Sequence, residues 1–275
     1  MYKNIDLHMH TTYSDGTLPP DELVKYAYEK KLDVISITDH NEVLGVEEAT
    51  IACKLYNITI IPGIEITSYK NKIIHILGYY IDTKSNELLD FVSKTRKVRA
   101  IYITKIIKEL YKLGIFIKPN EIVEKGNRLN INTIIQYMIE KEYVKTIQEA
   151  KEKYFNEVMA TFVDISENRL SPKEAIELIR KSGGKSVLAH PIRLHENINE
   201  LECLIKELIS YGLEGIECYH PEHSLEIQNE YLKIAEKYKL IITGGSDYHG
   251  LVKPDIDLGI GRGNLKIPVN ILTTL

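Results

Sequence analysis

Residues 33–41 read DVISITDHN, a short β-branched apolar run that ends abruptly in an acid, a histidine and an amide. The run has the composition of a buried strand, and its polar residues follow it rather than alternate with it. The same arrangement recurs in both directions. Upstream, YKNIDLHMHTTYSDG (2–16) carries His8 and His10 at the close of a strand, and a strand's period of two puts both on one face. Downstream, Glu65 comes after ITIIPG (58–63), His190 after KSVLA (185–189), and Asp247 and His249 after LIITGG (240–245). His75 lies within the extended KIIHILGYYI (72–81), and GIECY (215–219) reads as a further strand.

Helical patterns separate these runs. One helix starts after Pro19-Pro20 with Asp21 and Glu22 in its first turn. VEEATIACKLYN (46–57) reads as another, and Ser171-Pro172-Lys173-Glu174 is a capping box that opens a third. Strand–helix alternation predicts an α/β fold with a mainly parallel sheet, open or closed into a barrel. Every one of the polar residues except His75 then sits at the C-terminal end of a predicted strand, the edge at which such barrels assemble their chemistry. Residues 86–164 break the rhythm and read as helices nearly throughout, so the expected organisation is 1–85 with 165–275 as one domain and 86–164 as a helical insertion.

Composition narrows the function. The chain has 275 residues, 44% hydrophobic and 27% charged, enough for one large core. A net charge of −4 argues against a long nucleic-acid groove, while short anionic substrates remain open. Cys53, Cys203 and Cys218 form no paired motif, which suits a reducing compartment and offers no thiolate zinc site. With neither a basic-then-apolar leader nor a membrane-length apolar run, a cytoplasmic location without membrane attachment is expected.

Each polar residue also has an ordinary explanation. A single His8 or His10 is more often a satisfied core or surface group. Asp15, in YSDG, could simply make a turn. Asp39 is expected to support the loop without touching a metal, and His75 could be a plain strand residue. His220 and His223, in CYHPEHS, could meet substrate or line a solvated loop, and His195 is expected at the surface. Gly259, Gly261 and Gly263 imitate a phosphate loop only superficially, and Glu217 has no motif around it. Taken together, the ordinary explanations need half a dozen coincidences at strand ends. Imidazoles and carboxylates gathered there are the donor set of zinc, manganese or iron.

DLHMHTTYSDGT, ITDHN, PGIEIT, IHILGY, AHP and GSDYHG, in that order, resemble the PHP (polymerase and histidinol phosphatase) family of metal-dependent phosphoesterases over essentially the whole chain. The resemblance implies a distorted (β/α)7 barrel holding two to three divalent metals (Mn, Zn or Fe). It implies that His8, His10, Glu65 and Asp247 hold the first metal, that Glu65 bridges to a second held by His75 and His190, and that Asp15, His40 and His249 hold the third. Aspartate at position 15 and an insertion after IHILGY, here a substrate cap, resemble a branch acting on nucleoside 3′,5′-bisphosphates and short oligonucleotides. That branch usually shows Gly-Arg-Pro-His in the insertion, with the arginine on a substrate phosphate; here the segment reads KGNRLNIN, keeping Arg128. The implied reaction is hydrolysis of a phosphomonoester or short phosphodiester by metal-activated hydroxide. A histidinol-phosphate-type phosphatase and an inactive metal-binding scaffold or sensor are the alternatives.

Overall fold

The computed structural model describes residues 3–124, 128–156, 169–194 and 197–275. The chain divides into two units: Met1–Phe91 with Leu170–Leu275, and Val92–Arg169. His195 and residues 125–127 and 157–164 of the expected insertion lie outside the described residues.

The first unit has a mixed α/β fold. β1 (Ile5–Met9), β2 (Val34–Ile37) and β3 (Thr59–Ile60) form a parallel sheet in the order β1-β2-β3. α1 (Pro20–Glu29) follows β1; Pro20 is preset for a helix start where no amide donor is needed, and Asp21 and Glu22 complement the helix dipole. α2 (Leu44–Tyr56) stops at Asn57, whose left-handed backbone (φ 54) turns the chain into β3. Leu23, Val24, Ala27, Ala49 and Cys53 of these helices pack with Met9, Ile35 and Ile37 in one apolar cluster. Truncating Ile35, fully buried there, to Ala would cost roughly 2–5 kcal/mol.

The expected third strand, 58–63, is divided. β3 ends before Pro62, which has no N–H for a ladder, and β4 (Gly63–Lys70) starts directly after it. Gly63 is required at that restart because a Cβ there would stand 2.4 Å from Ser36 Oγ and 2.8 Å from the Ile37 carbonyl. Four of the six strand pairings are parallel, as expected, and a single strand makes both exceptions. β4 pairs antiparallel with β5 (Lys72–Tyr79), and β5 pairs antiparallel with β6 (Lys185–Leu188). Only Asn71, at φ 59, separates β4 from β5, and a parallel pair would need a crossover of a dozen residues. β7 (Gly215–Tyr219) and β8 (Ile241–Gly244) complete the second sheet in parallel, in the order β4-β5-β6-β7-β8.

Two isolated parallel bridges link the sheets, Met9 with Tyr248 and His40 with Glu65. Backbone bonds reinforce them: Asp247 N–H donates to the His8 carbonyl (2.9 Å), and Asn41 N–H to that of Glu65 (2.9 Å). The segments after β1, β2 and β8 are thus drawn together with β4. α7 (Pro172–Lys181) begins with the expected capping box at Ser171 and Glu174, and α8 (Ile198–Ser210) and α9 (Leu225–Tyr238) precede β7 and β8.

In the second unit, α3 (Asn86–Lys112), which begins in the first unit, leads to α4 (Pro119–Val123), α5 (Ile131–Glu140), α6 (Ile147–Ala150) and a π-helical turn at Lys151–Phe155. Asn130 caps α5 in a reciprocal box with Thr133. Ile103, Ile106, Leu110, Ile134, Met138 and Phe155 belong to a core separate from that of the strands. No helix among the described residues is long and apolar enough to cross a membrane.

Candidate metal centre

Glu65 organises the site. It lies inside β4 rather than after a strand as expected, fully buried. Its two oxygens face different imidazoles. Oε1 is 2.9 Å from His75 Nδ1 and 2.9 Å from His190 Nε2. Oε2 is 3.3 Å from His8 Nε2, 3.3 Å from His10 Nε2 and 3.1 Å from His40 Nδ1. The antiparallel register explains His75: it opposes Thr67, two residues from Glu65, which makes it Glu65's diagonal neighbour on one face.

Asp247 supplies the second buried carboxylate, with Oδ1 3.4 Å from His8 Nε2, 3.2 Å from His10 Nε2 and 3.5 Å from His249 Nδ1. Its backbone is left-handed (φ 53), as is that of His190 (φ 26), a cost that structures tolerate where a side chain must be aimed. Asp15 gathers the outer group: its Oδ2 is 3.3 Å from His249 Nε2 and 3.8 Å from His40 Nε2, and its Oδ1 is 3.7 Å from His10 Nδ1. All nine residues expected as ligands are therefore brought together. Among the described residues, three sets place ligand atoms within 4.8 Å of one another: His8, His10, Glu65 and Asp247; His40, Glu65 and His75; and His10, Asp15, His40 and His249.

The electrostatics suit cations. Burial pushes the Glu65 carboxyl up, but the imidazoles of His40, His75 and His8 outweigh it and hold the group well below its usual range. Asp247 is likewise held low against burial by His249 and His8. Burial drives His40 down to about 3 and His190 down to about 4, which leaves them neutral and able to donate a lone pair. His10 Nε2 is buried between the Glu65 and Asp247 carboxylates yet completes no hydrogen bond. An orphaned imidazole nitrogen among buried carboxylate oxygens fits a divalent metal better than it fits a hydrogen-bond network.

Sequence reasoning missed the residues that hold this set in place. Glu217, on β7, accepts from His8 Nδ1 (2.9 Å) and from the His190 backbone N–H (2.7 Å). The first bond fixes the His8 tautomer and turns Nε2 toward the cluster. Asp6 accepts from the His8 and Ser246 amides and, through its other oxygen, from the Gly259 amide. A lone acid inside a buried apolar strand was the available signal for both. Asp39 behaves as a loop support: its carboxylate accepts from the Thr11 amide (2.8 Å), the Thr11 hydroxyl (2.6 Å) and the Ser14 hydroxyl (2.5 Å). Arg193 and Lys253 were also missed; both reach Asp247 Oδ2, at 2.9 and 2.6 Å.

The expected substrate residues fare unequally. His220 is buried with Nε2 3.6 Å from Asp247 Oδ2, at the edge of the cluster. His223 lies beside it, with ring centroids 5.2 Å apart; its Nδ1 is 2.8 Å from the Cys218 carbonyl, and its ring packs edge-on against Tyr231. Arg128 is exposed in the helical unit, where its carbonyl accepts from Thr133 Oγ1 ahead of α5.

The PHP domain model matches residues 6–232. A 5′-3′ exoribonuclease of Haemophilus influenzae is 29% identical over 255 residues, 90% of this chain and 91% of that protein. A 3′,5′-nucleoside bisphosphate phosphatase of Chromobacterium violaceum is 27% identical over 260 residues, 93% and 90% of the two chains. A crystal structure from Bifidobacterium adolescentis shares the fold, with a TM-score of 0.80 at 24% identity over 98% of this chain and 94% of that one. On these matches the chain belongs to the PHP-domain family, as a phosphoester hydrolase.

Proposed function

We propose that the protein hydrolyses a phosphomonoester or short phosphodiester of a small phosphorylated substrate, a nucleoside 3′,5′-bisphosphate or a short oligonucleotide, at a centre of two to three divalent metals. The observation that carries this reading is the division of Glu65 between two imidazole sets, Oε1 toward His75 and His190, Oε2 toward His8, His10 and His40. A carboxylate so placed suits a bridge between two cations. Asp247 completes the first set with His8 and His10, and Asp15, His40 and His249 make the third. Divalent metals there would activate water near neutral pH and offset charge growing on the phosphate oxygens.

The chain's own residues do the rest. Glu217 and Asp6 fix the orientation of His8 and of the segment bearing Asp247. Asp39 shapes the loop that presents Asp15. His220 and His223 are assigned to the substrate side, His220 foremost because it borders Asp247. Arg128 is assigned to a second phosphate, since a guanidinium fork suits one; the helical unit is then a recognition element. The bridges Met9–Tyr248 and His40–Glu65 support reading the two sheets as one distorted (β/α)7 barrel.

The test is phosphate release from a panel of phosphorylated metabolites with manganese, zinc or iron supplied. Turnover of a nucleoside 3′,5′-bisphosphate that stops on chelation is the expected result. Preference for histidinol phosphate would move the protein to the other phosphatase branch. Metal binding without release from any substrate would make it a scaffold.

A further inference from the structure

Asp247 presents two different faces. Its Oδ1 meets the imidazoles of His8, His10 and His249. Its Oδ2 meets two cations from separate loops, Arg193 Nη2 at 2.9 Å and Lys253 Nζ at 2.6 Å. Arg193 is held from behind, because Glu222 accepts from its Nε (2.8 Å) and Nη2 (2.7 Å). Nη1 takes no part in these bonds. The Asp247 side chain is only 3% exposed, whereas those of Arg193 and Lys253 are 34% and 28% exposed. The two cations therefore sit where a solute can reach them, at the rim of a carboxylate it cannot.

Charge settles what that solute is. Glu222 balances one of the two positive charges, and Asp247 must serve both the cations and the imidazole cluster. Whatever share of Asp247 the cluster takes leaves positive charge unbalanced at the rim. The unengaged Nη1 of the guanidinium and an ammonium that reaches the same Asp247 oxygen match the terminal oxygens of a phosphate dianion. A phosphodiester has one anionic charge and fewer free oxygens to offer.

We propose that Arg193 and Lys253, with Glu222 as the positioning residue for Arg193, form an oxyanion subsite that holds the terminal phosphate of the substrate and selects monoesters over diesters. This rests on the hydrolytic reading of the centre, narrows its two ester classes to the monoester, and names the residues that grip the reacting phosphate.

The probe is inorganic phosphate, titrated by calorimetry into metal-loaded protein and also used as a competitive inhibitor. Arg193→Ala should weaken phosphate binding about tenfold to a hundredfold, the range for a charge-assisted bond. Lys253→Ala should weaken it less, and Arg193→Lys, which keeps the charge without the fork, should fall between wild type and Arg193→Ala. Metal content should stay at the wild-type level, and preference for a phosphomonoester over its methyl diester should shrink in step. Phosphate affinity within about twofold of wild type in both alanine variants overturns the proposal. So does loss of metal with unchanged phosphate affinity in the remaining loaded protein, which would make the pair mere supports for Asp247. If wild type binds phosphate through this pair but hydrolyses no ester, the subsite stands and the hydrolytic reading falls. Turnover with unaltered phosphate binding in the variants has the opposite meaning.

Discussion

The Glu65 group and the Asp15 group draw on the same kinds of side chain, yet they are built differently. Glu65 is fully buried, inside a paired strand, with imidazole nitrogens at 2.9–3.3 Å. Asp15 is 37% exposed, on a loop, with imidazole nitrogens at 3.3–3.8 Å. A carboxylate on a ladder is aimed by the backbone bonds of its neighbours; one on a loop is aimed by whatever holds the loop, here Asp39. The first group is therefore preorganised for cations, and the second adapts to them. A metal in the Glu65 group should be retained through purification, while one beside Asp15 should exchange.

The most damaging way to probe this contrast is Glu65→Gln. The amide keeps the shape but removes the charge shared by two imidazole sets. Turnover should fall by at least about a hundredfold, on the scale of disrupted metal ligation. Metal content, read by elemental analysis, should drop by more than one ion per chain. Near-normal rates at saturating metal would end the bridging assignment and the contrast with it.

Glu217→Ala comes next. It touches no substrate in this reading, but it releases His8 Nδ1 and the His190 amide together. Metal affinity should fall about tenfold to a hundredfold, as for other outer partners of ligating histidines. Glu217→Gln can still accept from His8 and should lose less. Equal, small losses in both variants would mean that burial alone fixes His8.

How far the sequence reached follows the same line. Residues whose position is set by a strand end could be placed from the pattern alone: His8, His10, His40, His190, Asp247 and His249 each adjoin a short apolar run and meet as expected. Glu65 was placed by the same strand-end reading but given the wrong local setting. Pro62 ends one strand and Gly63 begins another, and a hairpin around a single Asn71 reverses the chain in a way that apolar periodicity does not encode. Arg193 was illegible for another reason. Its role depends on partners tens of residues away, and nothing local distinguishes Arg193 from a solvated arginine until Asp247 and Glu222 are seen on either side of it.

Asp15→Asn tests the adaptable half of the comparison. Burial raises the Asp15 carboxyl, but His249 and His40 hold it well below the usual range, so its charge is used by these neighbours. The amide should weaken one metal and leave the Glu65 group loaded. Activity at limiting metal should fall roughly tenfold and recover as metal is added, because an exchangeable site is refilled by mass action. Loss of all metals together would show that the two groups are one cooperative unit. That result would erase the distinction drawn from their burial and distances.

The smallest expected effect belongs to Arg128, which lies outside both groups, in the helical unit. It is exposed, and an exposed cation gains little from an anion because water and salt screen the pair. Arg128→Ala should therefore cost roughly 1 kcal/mol, about fivefold in kcat/KM, on a nucleoside 3′,5′-bisphosphate. Metal content should not move, since Arg128 is none of the residues gathered around Glu65, Asp247 and Asp15. An aryl monophosphate has no second phosphate and should be turned over as by wild type. Raising the salt concentration should shrink the difference between variant and wild type on the bisphosphate. A loss of equal size on both substrates would place Arg128 with the reacting phosphate and take away the reason for assigning a bisphosphate. A loss on neither would restrict recognition to the strand-built unit, where the burial of Glu65 and the exposure of Asp15 would have to account for all of it.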